Sequence, residues 1–156
     1  KVRVFLSAKN VKVNLAGIRS WEQAIVTYKL AIFYSELTAA SASKMAGLYL
    51  RLGWLYRESG QVDEEKKVLT KACECFEKAL EREPMPLGNM SELTVMYLIS
   101  DLLWRTGQNE KAKLYLSKVV SSPLAKEEKR VSDLARDLWQ EMRSIERSSS
   151  ISAAKV

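Results

Sequence analysis

One stretch, residues 47–84, constrains the fold of this chain more than any other. It reads GLYLRLGWLYRESGQVDEEKKVLTKACECFEKALEREP, with apolar residues at helical spacing on both sides of Gly60. Because glycine tolerates the left-handed backbone that closes a helix, Gly60 predicts the turn of a helical hairpin. Gly53 predicts a close contact between the two helices of this hairpin. We therefore expect packed helices over residues 43–59 and 62–83.

The turn of this hairpin recurs further along the chain. The segments RESGQ at residues 57–61 and RTGQ at residues 105–108 read almost alike, and their glycines lie 47 residues apart. Such internal repetition is typical of stacked helical hairpins, because one hairpin cannot bury its apolar face alone. The repeat predicts an array in which neighbouring hairpins share a core.

Apolar periodicity predicts the remaining helices and the limits of the domain. These helices cover about residues 20–38, 91–105, 109–120 and 126–147, and a short helix with an irregular connection precedes Gly17. The helix from Ser20, which opens as a capping box, carries two apolar stripes and should pack against neighbours on two faces. The segment PMPLGN at residues 84–89 predicts an exposed loop. We expect one all-α domain of about six or seven helices over residues 1–147, followed by a disordered tail over residues 148–156.

The charge distribution argues against a nucleic-acid surface. The formal net charge is +6, but the excess lies in residues 1–20 and near the carboxyl end, while the residues between are neutral overall. Nucleic-acid-binding domains normally carry a sustained basic face on the folded body. No apolar run is long enough to span a membrane. We therefore expect neither a nucleic-acid nor a membrane partner.

The sequence contains no recognisable catalytic, metal or cofactor site. Histidine is absent, and Cys73 and Cys75 are two residues apart on a helix, so their side chains point in nearly opposite directions and cannot share a metal ion. We expect both thiols to be reduced and partly buried, as in a cytoplasmic protein. Asp101 is expected to pair with Arg105 or Arg57 rather than to act as an acid. The prediction is a protein that is not an enzyme and binds no cofactor.

The order of residues in the hairpin resembles the tetratricopeptide repeat. Tyr49, Leu52, Gly53, Tyr56 and Gly60, then Ala72, Phe76, Ala79 and Pro84, match the order that this family uses. The resemblance implies a right-handed stack of antiparallel helix hairpins. More narrowly, residues 19–120 resemble an uncharacterised bacterial family, one of the domains of unknown function, whose members join a Cys-rich N-terminal segment to a tetratricopeptide-like region. That Cys-rich segment is absent here, and the family implies no activity.

The tetratricopeptide resemblance also implies a concave groove lined by the first helices of successive hairpins. Its predicted lining residues are Leu50, Arg51, Trp54 and Arg57 in one unit, and Tyr97, Asp101, Trp104 and Arg105 in the next. Aromatic and arginine side chains are frequent anchors in protein interfaces. The two tryptophans could instead fill the space between hairpins, with the arginines solvated at the rim.

Two function classes follow from this groove. The first is a protein-interaction module that binds a peptide or a partner helix. The second is a regulatory, ligand-sensing domain of a longer protein whose metal- or nucleic-acid-binding N-terminal part is missing. Because the ends of a short array need a cap, the last helix is expected either to supply that cap or to dock onto a second copy as a homodimer.

Overall fold

The computed structural model describes residues 18–155, which form six α-helices and one 3-10 turn. The helices are α1 (Ile18–Leu37), α2 (Ala42–Glu58), α3 (Val62–Arg82), α4 (Glu92–Arg105), α5 (Asn109–Ser121) and α6 (Lys129–Ala154), and the 3-10 turn is Pro123–Lys126. No β-strand occurs among these residues. The prediction of an all-α fold is confirmed. The short helix predicted before Gly17 lies outside the described residues.

Consecutive helices pack against each other along the chain. The most extensive pairing joins α2 to α3, as residues 47–84 predict, and α4 pairs with α5 in the same way. In addition α1 packs on α2, α3 packs on α4, and α6 packs on both α4 and α5. The structure therefore contains two neighbouring hairpins, with α1 beside the first and α6 beside the second.

The two hairpin turns have the same backbone geometry. Gly60 has a φ of 76° and Gly107 a φ of 84°, so both adopt the left-handed conformation that glycine accepts without strain. The amide of each glycine donates to the carbonyl three residues earlier, at 3.1 Å in the first turn and 3.2 Å in the second. The amide of the following glutamine donates to the carbonyl five residues earlier, at 2.8 Å and 2.9 Å. The repeat that the sequence predicts is therefore present in the backbone.

Gly53 lies where α2 packs against side chains of α3. A Cβ atom at this position would lie 2.7 Å from Cδ2 of Leu69 and 3.4 Å from Cγ2 of Val68, both on α3. Side chains in a packed core leave no room for an added atom at such distances. The predicted close contact at Gly53 is confirmed.

The core is centred on α4. Leu93, Val95, Leu98, Ile99 and Leu102 on this helix are all fully buried, because α3, α5 and α6 each pack against it. Ser91 begins the helix, and its Oγ accepts from the amide of Thr94 at 3.2 Å, as expected of an N-cap serine. A helix buried on most of its surface is the element on which the rest of the chain assembles.

Helix α1 differs from its prediction in two ways. It begins at Ile18, so Ser20 lies in its first turn rather than at the N-cap, and a sequence signal locates a helix end only to within a residue or two. Its second apolar stripe is not covered by the described residues. The side chains of this stripe are Val26, Leu30, Phe33 and Leu37, between 51% and 68% exposed. Among the described residues α1 has one packing partner, α2, so only its first stripe is buried.

The C-terminal end also differs from its prediction. Helix α6 continues to Ala154, where the composition predicts a disordered tail from residue 148. The added residues are exposed, and the hydroxyl groups of Ser148 and Ser150 donate to the carbonyls of Ser144 and Glu146, each at 3.0 Å. These hydrogen bonds run from side chains to the backbone of the same helix. One position in α3 also differs from its predicted packing. The spacing of apolar residues predicts that Val62 points inward, but Val62 is 70% exposed.

Candidate groove between α2, α4 and α6

The structure separates the predicted groove residues into buried and accessible groups. Leu50, Tyr97 and Asp101 are buried, with exposed fractions of 7%, 1% and 3%. The other five are accessible: Arg51 and Arg57 are exposed, and Trp54, Trp104 and Arg105 are half-buried. Tyr97 and Asp101 therefore contribute to the core of the array rather than to an open surface.

Asp101 forms an ion pair within its own helix. Its Oδ2 accepts from Nε of Arg105 at 3.1 Å, one of the two pairings that the sequence predicts. Burial, together with the negative charge of Asp101, raises the pKa of the neighbouring Tyr97. The Asp101 carboxylate is therefore buried and paired within its own helix.

Trp54 packs against the helix that precedes its own. Its ring meets that of Trp21 on α1 edge-on, with ring centroids 5.8 Å apart and an interplanar angle of 65°. This arrangement is favourable for two aromatic rings. Trp54 therefore fills space between α1 and α2, in agreement with the alternative that the sequence left open.

An open cavity of about 550 Å³ lies between α2, α4 and α6. Helix α2 contributes Ser43, Gly47, Leu50 and Arg51, α4 contributes Thr94 and Leu98, α6 contributes Arg130, Val131 and Leu134, and Phe76, Asn89 and Met90 complete the lining. Two of the predicted groove residues, Leu50 and Arg51, thus line a real cavity. Its volume is within the range of small-ligand and side-chain pockets in proteins.

Gly47 makes the α2 wall of this cavity. A Cβ atom placed on Gly47 would have no heavy atom within 4 Å among its neighbours. A glycine inside a helix costs roughly 0.5–1 kcal/mol relative to alanine, and at Gly53 the close contact with α3 accounts for that cost. No such contact with a residue of the described part of the chain exists at Gly47, which instead borders the open cavity.

The charged side chains that line this cavity are two arginines. Arg51 on α2 and Arg130 on α6 are both exposed, and neither is paired with a carboxylate in the part of the chain described by the structure. Two carboxylates that bond near the first turns of α2 and α4 are already engaged. Glu83 accepts from the amide and the hydroxyl of Ser43, at 2.9 Å and 2.6 Å, and Glu128 accepts from the hydroxyl of Ser91. The cavity therefore combines an apolar floor with two unpaired positive charges.

A larger cavity of about 950 Å³ lies between α1, α2 and α3, with Tyr49, Leu52 and Tyr56 at its base. Side chains of the chain itself already interact across it. The hydroxyl of Tyr49 donates to Glu36 at 3.0 Å, and the ammonium groups of Lys71 and Lys29 lie 5.7 Å and 5.9 Å from the ring centroids of Tyr49 and Tyr56. Its polar groups are thus partly satisfied internally, unlike the two arginines of the smaller cavity.

The sequence predicts part of the smaller cavity and misses the rest. Thr94 and Leu98 are the counterparts of Gly47 and Arg51 at the repeat offset of 47 residues, so the repeat itself could have located them. The contribution of α6 carries no such signal, because its sequence contains no third copy of the turn. Arg130 could be assigned to the cavity only from the packing of α6 on α4.

Both cysteines are free, as predicted, and Cys73 is buried while Cys75 is half-buried. Burial, helped by the carboxylate of Glu77, raises the pKa of the Cys73 thiol to about 12. Among residues 18–155, no group of three or more potential metal ligands lies close together. In the same range no helix has a stretch both long and apolar enough to cross a membrane.

The fold and the cavity define the class of this protein: an all-α domain built from neighbouring helical hairpins. A family model described as "Uncharacterized protein conserved in bacteria (DUF2225)" matches residues 1–142. The chain belongs to this family, and the resemblance to an uncharacterised bacterial family is confirmed. Neither the search of curated proteins nor the search of solved structures finds a match.

Proposed function

We propose that this chain is a non-enzymatic, tetratricopeptide-like interaction module of the cytoplasm, and that it binds a peptide segment of a partner protein in the cavity between α2, α4 and α6. The observation that carries the proposal is Gly47. It opens the wall of an apolar cavity in the middle of a helix, where no residue among its neighbours needs the space.

The helices around the cavity support a peptide as the ligand. Helices α2 and α4, the first helices of the two hairpins, and helix α6 all contribute to the lining, so the cavity is shared by three helices. A groove of this kind can hold an extended segment with one or two side chains inserted into the cavity. Asn89, which is exposed and lines the cavity, provides an amide side chain for a peptide backbone.

A mutation at Gly47 tests the proposal without damaging the fold. Gly47→Leu places a side chain in the cavity, and the gain in helix propensity should leave the free energy of unfolding unchanged or raise it by about 0.5–1 kcal/mol. Random dodecapeptides displayed on phage would be selected on the wild-type domain, and binding of the enriched peptides measured by fluorescence anisotropy. We expect Gly47→Leu to abolish binding and Gly47→Ala to retain most of it.

A control substitution distinguishes cavity filling from a general surface effect. Leu114 on α5 is 63% exposed and is outside the lining of this cavity, so Leu114→Ala should leave peptide affinity unchanged. Enriched peptides that bind Gly47→Leu as tightly as wild type would place their site elsewhere and contradict the proposal. Failure to enrich any peptide would contradict it as well.

A further inference from the structure

We infer that the bound segment carries an aspartate or glutamate side chain next to its apolar anchor, and that Arg51 and Arg130 hold this carboxylate. The inference rests on the proposed function, since it names the chemistry of a peptide in the same cavity. It goes further because a peptide-binding groove by itself does not specify which charge its ligand carries.

The arrangement of charge around the cavity is the first observation. Arg51 comes from α2 and Arg130 from α6, so two helices on different sides direct guanidinium groups to one opening. Among residues 18–155, no aspartate or glutamate is part of the cavity lining. A ligand with a carboxylate gains two opposite charges here, whereas a basic ligand would meet like charges at both positions.

The second observation is the state of the neighbouring carboxylates. Glu83 and Glu128 could in principle neutralise the two arginines, but their oxygens accept hydrogen bonds from Ser43 and Ser91 near the first turns of α2 and α4. Breaking those bonds to pair with an arginine would leave groups at the helix ends unsatisfied. Neither arginine forms an ion pair with a carboxylate of residues 18–155, so the charge of the two guanidinium groups is available to a ligand.

The third observation is the floor beneath these charges. Leu50, Phe76 and Leu98 are buried and apolar, so a bound side chain would exclude water from the space between the two arginines. Guanidinium–carboxylate hydrogen bonds are stronger when water is displaced, and the planar guanidinium group can bind a carboxylate through two parallel bonds. An apolar residue adjacent to an acidic one matches both parts of this surface.

A double-mutant cycle on the enriched dodecapeptides tests the inference. Peptides would be synthesised with free and with amidated C-termini, and with each Asp or Glu replaced by Asn or Gln. We expect the enriched sequences to share an acidic residue beside an apolar one. Arg51→Gln and Arg130→Gln should each weaken binding by about tenfold, as expected for loss of a charge-assisted hydrogen bond.

The peptide variant and the protein variant should not act independently. Replacing the acidic residue should weaken wild-type binding by more than about tenfold, but it should have little further effect on the double variant Arg51→Gln/Arg130→Gln, because both changes then remove the same interactions. Arg147→Gln on α6, which removes the same charge away from the cavity, should change affinity by less than about twofold. Amidation of the peptide C-terminus should have no effect.

Different results would contradict the inference and the proposed function separately. If Gly47→Leu abolishes binding but the arginine variants bind normally, the groove binds peptides and the inference about carboxylates is wrong. The inference is also wrong if the enriched peptides lack acidic residues. Dependence on a free C-terminal carboxylate would also overturn it, because the terminus would be the ligand. If no peptide is enriched, both are wrong.

Discussion

The two hairpins share one turn but differ in what surrounds their first helices. The backbone geometry at Gly60 and Gly107 is almost identical, whereas α2 carries exposed or half-buried side chains at several positions and α4 is buried on most of its surface. At the offset of 47 residues, Arg51 is equivalent to Leu98 and Gly47 to Thr94. The shared turn maintains the architecture, and the differences at equivalent positions produce a groove on one side of the array.

The two hairpins should differ most in how a substitution at the contact between their helices changes the free energy of unfolding. Gly53→Leu should lower the free energy of unfolding by about 1–3 kcal/mol, because the new side chain would overlap Leu69 on α3. Urea denaturation monitored by circular dichroism would measure the change. The equivalent residue in α4 is Ser100, which is buried and donates to the carbonyl of Met96 at 2.9 Å.

Ser100→Ala provides the comparison for Gly53→Leu. It removes only a local hydrogen bond to the helix backbone, so we expect a change of less than about 0.5 kcal/mol. A gain in stability on Gly53→Leu would mean that α2 and α3 are not in close contact, and would contradict the hairpin itself.

The turns offer a test in which the two hairpins should behave alike. Gly60→Ala and Gly107→Ala each force alanine into a left-handed backbone conformation, which costs about 1–2 kcal/mol. The two losses should agree within about 0.5 kcal/mol, because the two turns have the same backbone geometry. Thermal denaturation of the two variants would measure this. Clearly unequal losses would contradict the equivalence of the turns.

A smaller change is expected for a substitution at the groove, and this change should be a gain in stability rather than a loss. Gly47→Ala should raise the free energy of unfolding by about 0.5–1 kcal/mol, because the added methyl group meets no neighbour and alanine favours the helix. Chemical denaturation against wild type would measure it. A loss of stability would show that other residues of the chain occupy the space beside Gly47.

At neutral pH, Tyr49→Phe should change the free energy of unfolding least. Its effect should appear at alkaline pH. Burial, followed by the hydrogen bond to Glu36, raises the pKa of Tyr49 to about 12. The pKa of tyrosine in an unfolded chain is about 10. Between this pH and the higher pKa of the folded protein, the native state keeps the phenol proton of Tyr49 while the unfolded state loses it. The stability contributed by this shift is present below pH 10 and is lost as the pH rises through about 12.

Tyr49→Phe should remove only the part of the alkaline loss that comes from Tyr49, because burial also raises the pKa of Tyr97 on α4. The equivalent of Tyr49 in α4 is Met96, which does not ionise. Stability curves between about pH 9 and pH 12 should therefore be flatter for Tyr49→Phe than for wild type. Identical curves would mean that the phenol of Tyr49 ionises normally in the folded protein.

Local sequence signals predicted the fold more fully than they predicted the cavity. The turn glycines, the serine at the start of α4 and the close contact at Gly53 depend on backbone chemistry within a few residues, so the sequence reveals them directly. The burial of Tyr97 and Asp101 depends instead on α6 packing over α4, which no spacing in the sequence records. For the same reason Arg130 was missed.

The groove also shows why a resemblance locates a site only approximately. Helical spacing placed Leu50, Arg51, Trp54 and Arg57 on one side of α2, but only the first two line the cavity, while Trp54 packs on Trp21. Which turn of a helix remains accessible depends on where its neighbours begin and end. Tertiary packing, rather than the pattern within α2, decides this.

The most direct test of the central claim is a map of amide chemical-shift changes when an enriched dodecapeptide is titrated into the full chain. The account predicts that the largest changes cluster at Gly47, Leu50, Leu98 and Leu134, around the cavity between α2, α4 and α6. The same titration of Gly47→Leu should produce none of them. Changes centred instead on Leu52 and Tyr56, at the base of the larger cavity, would contradict it.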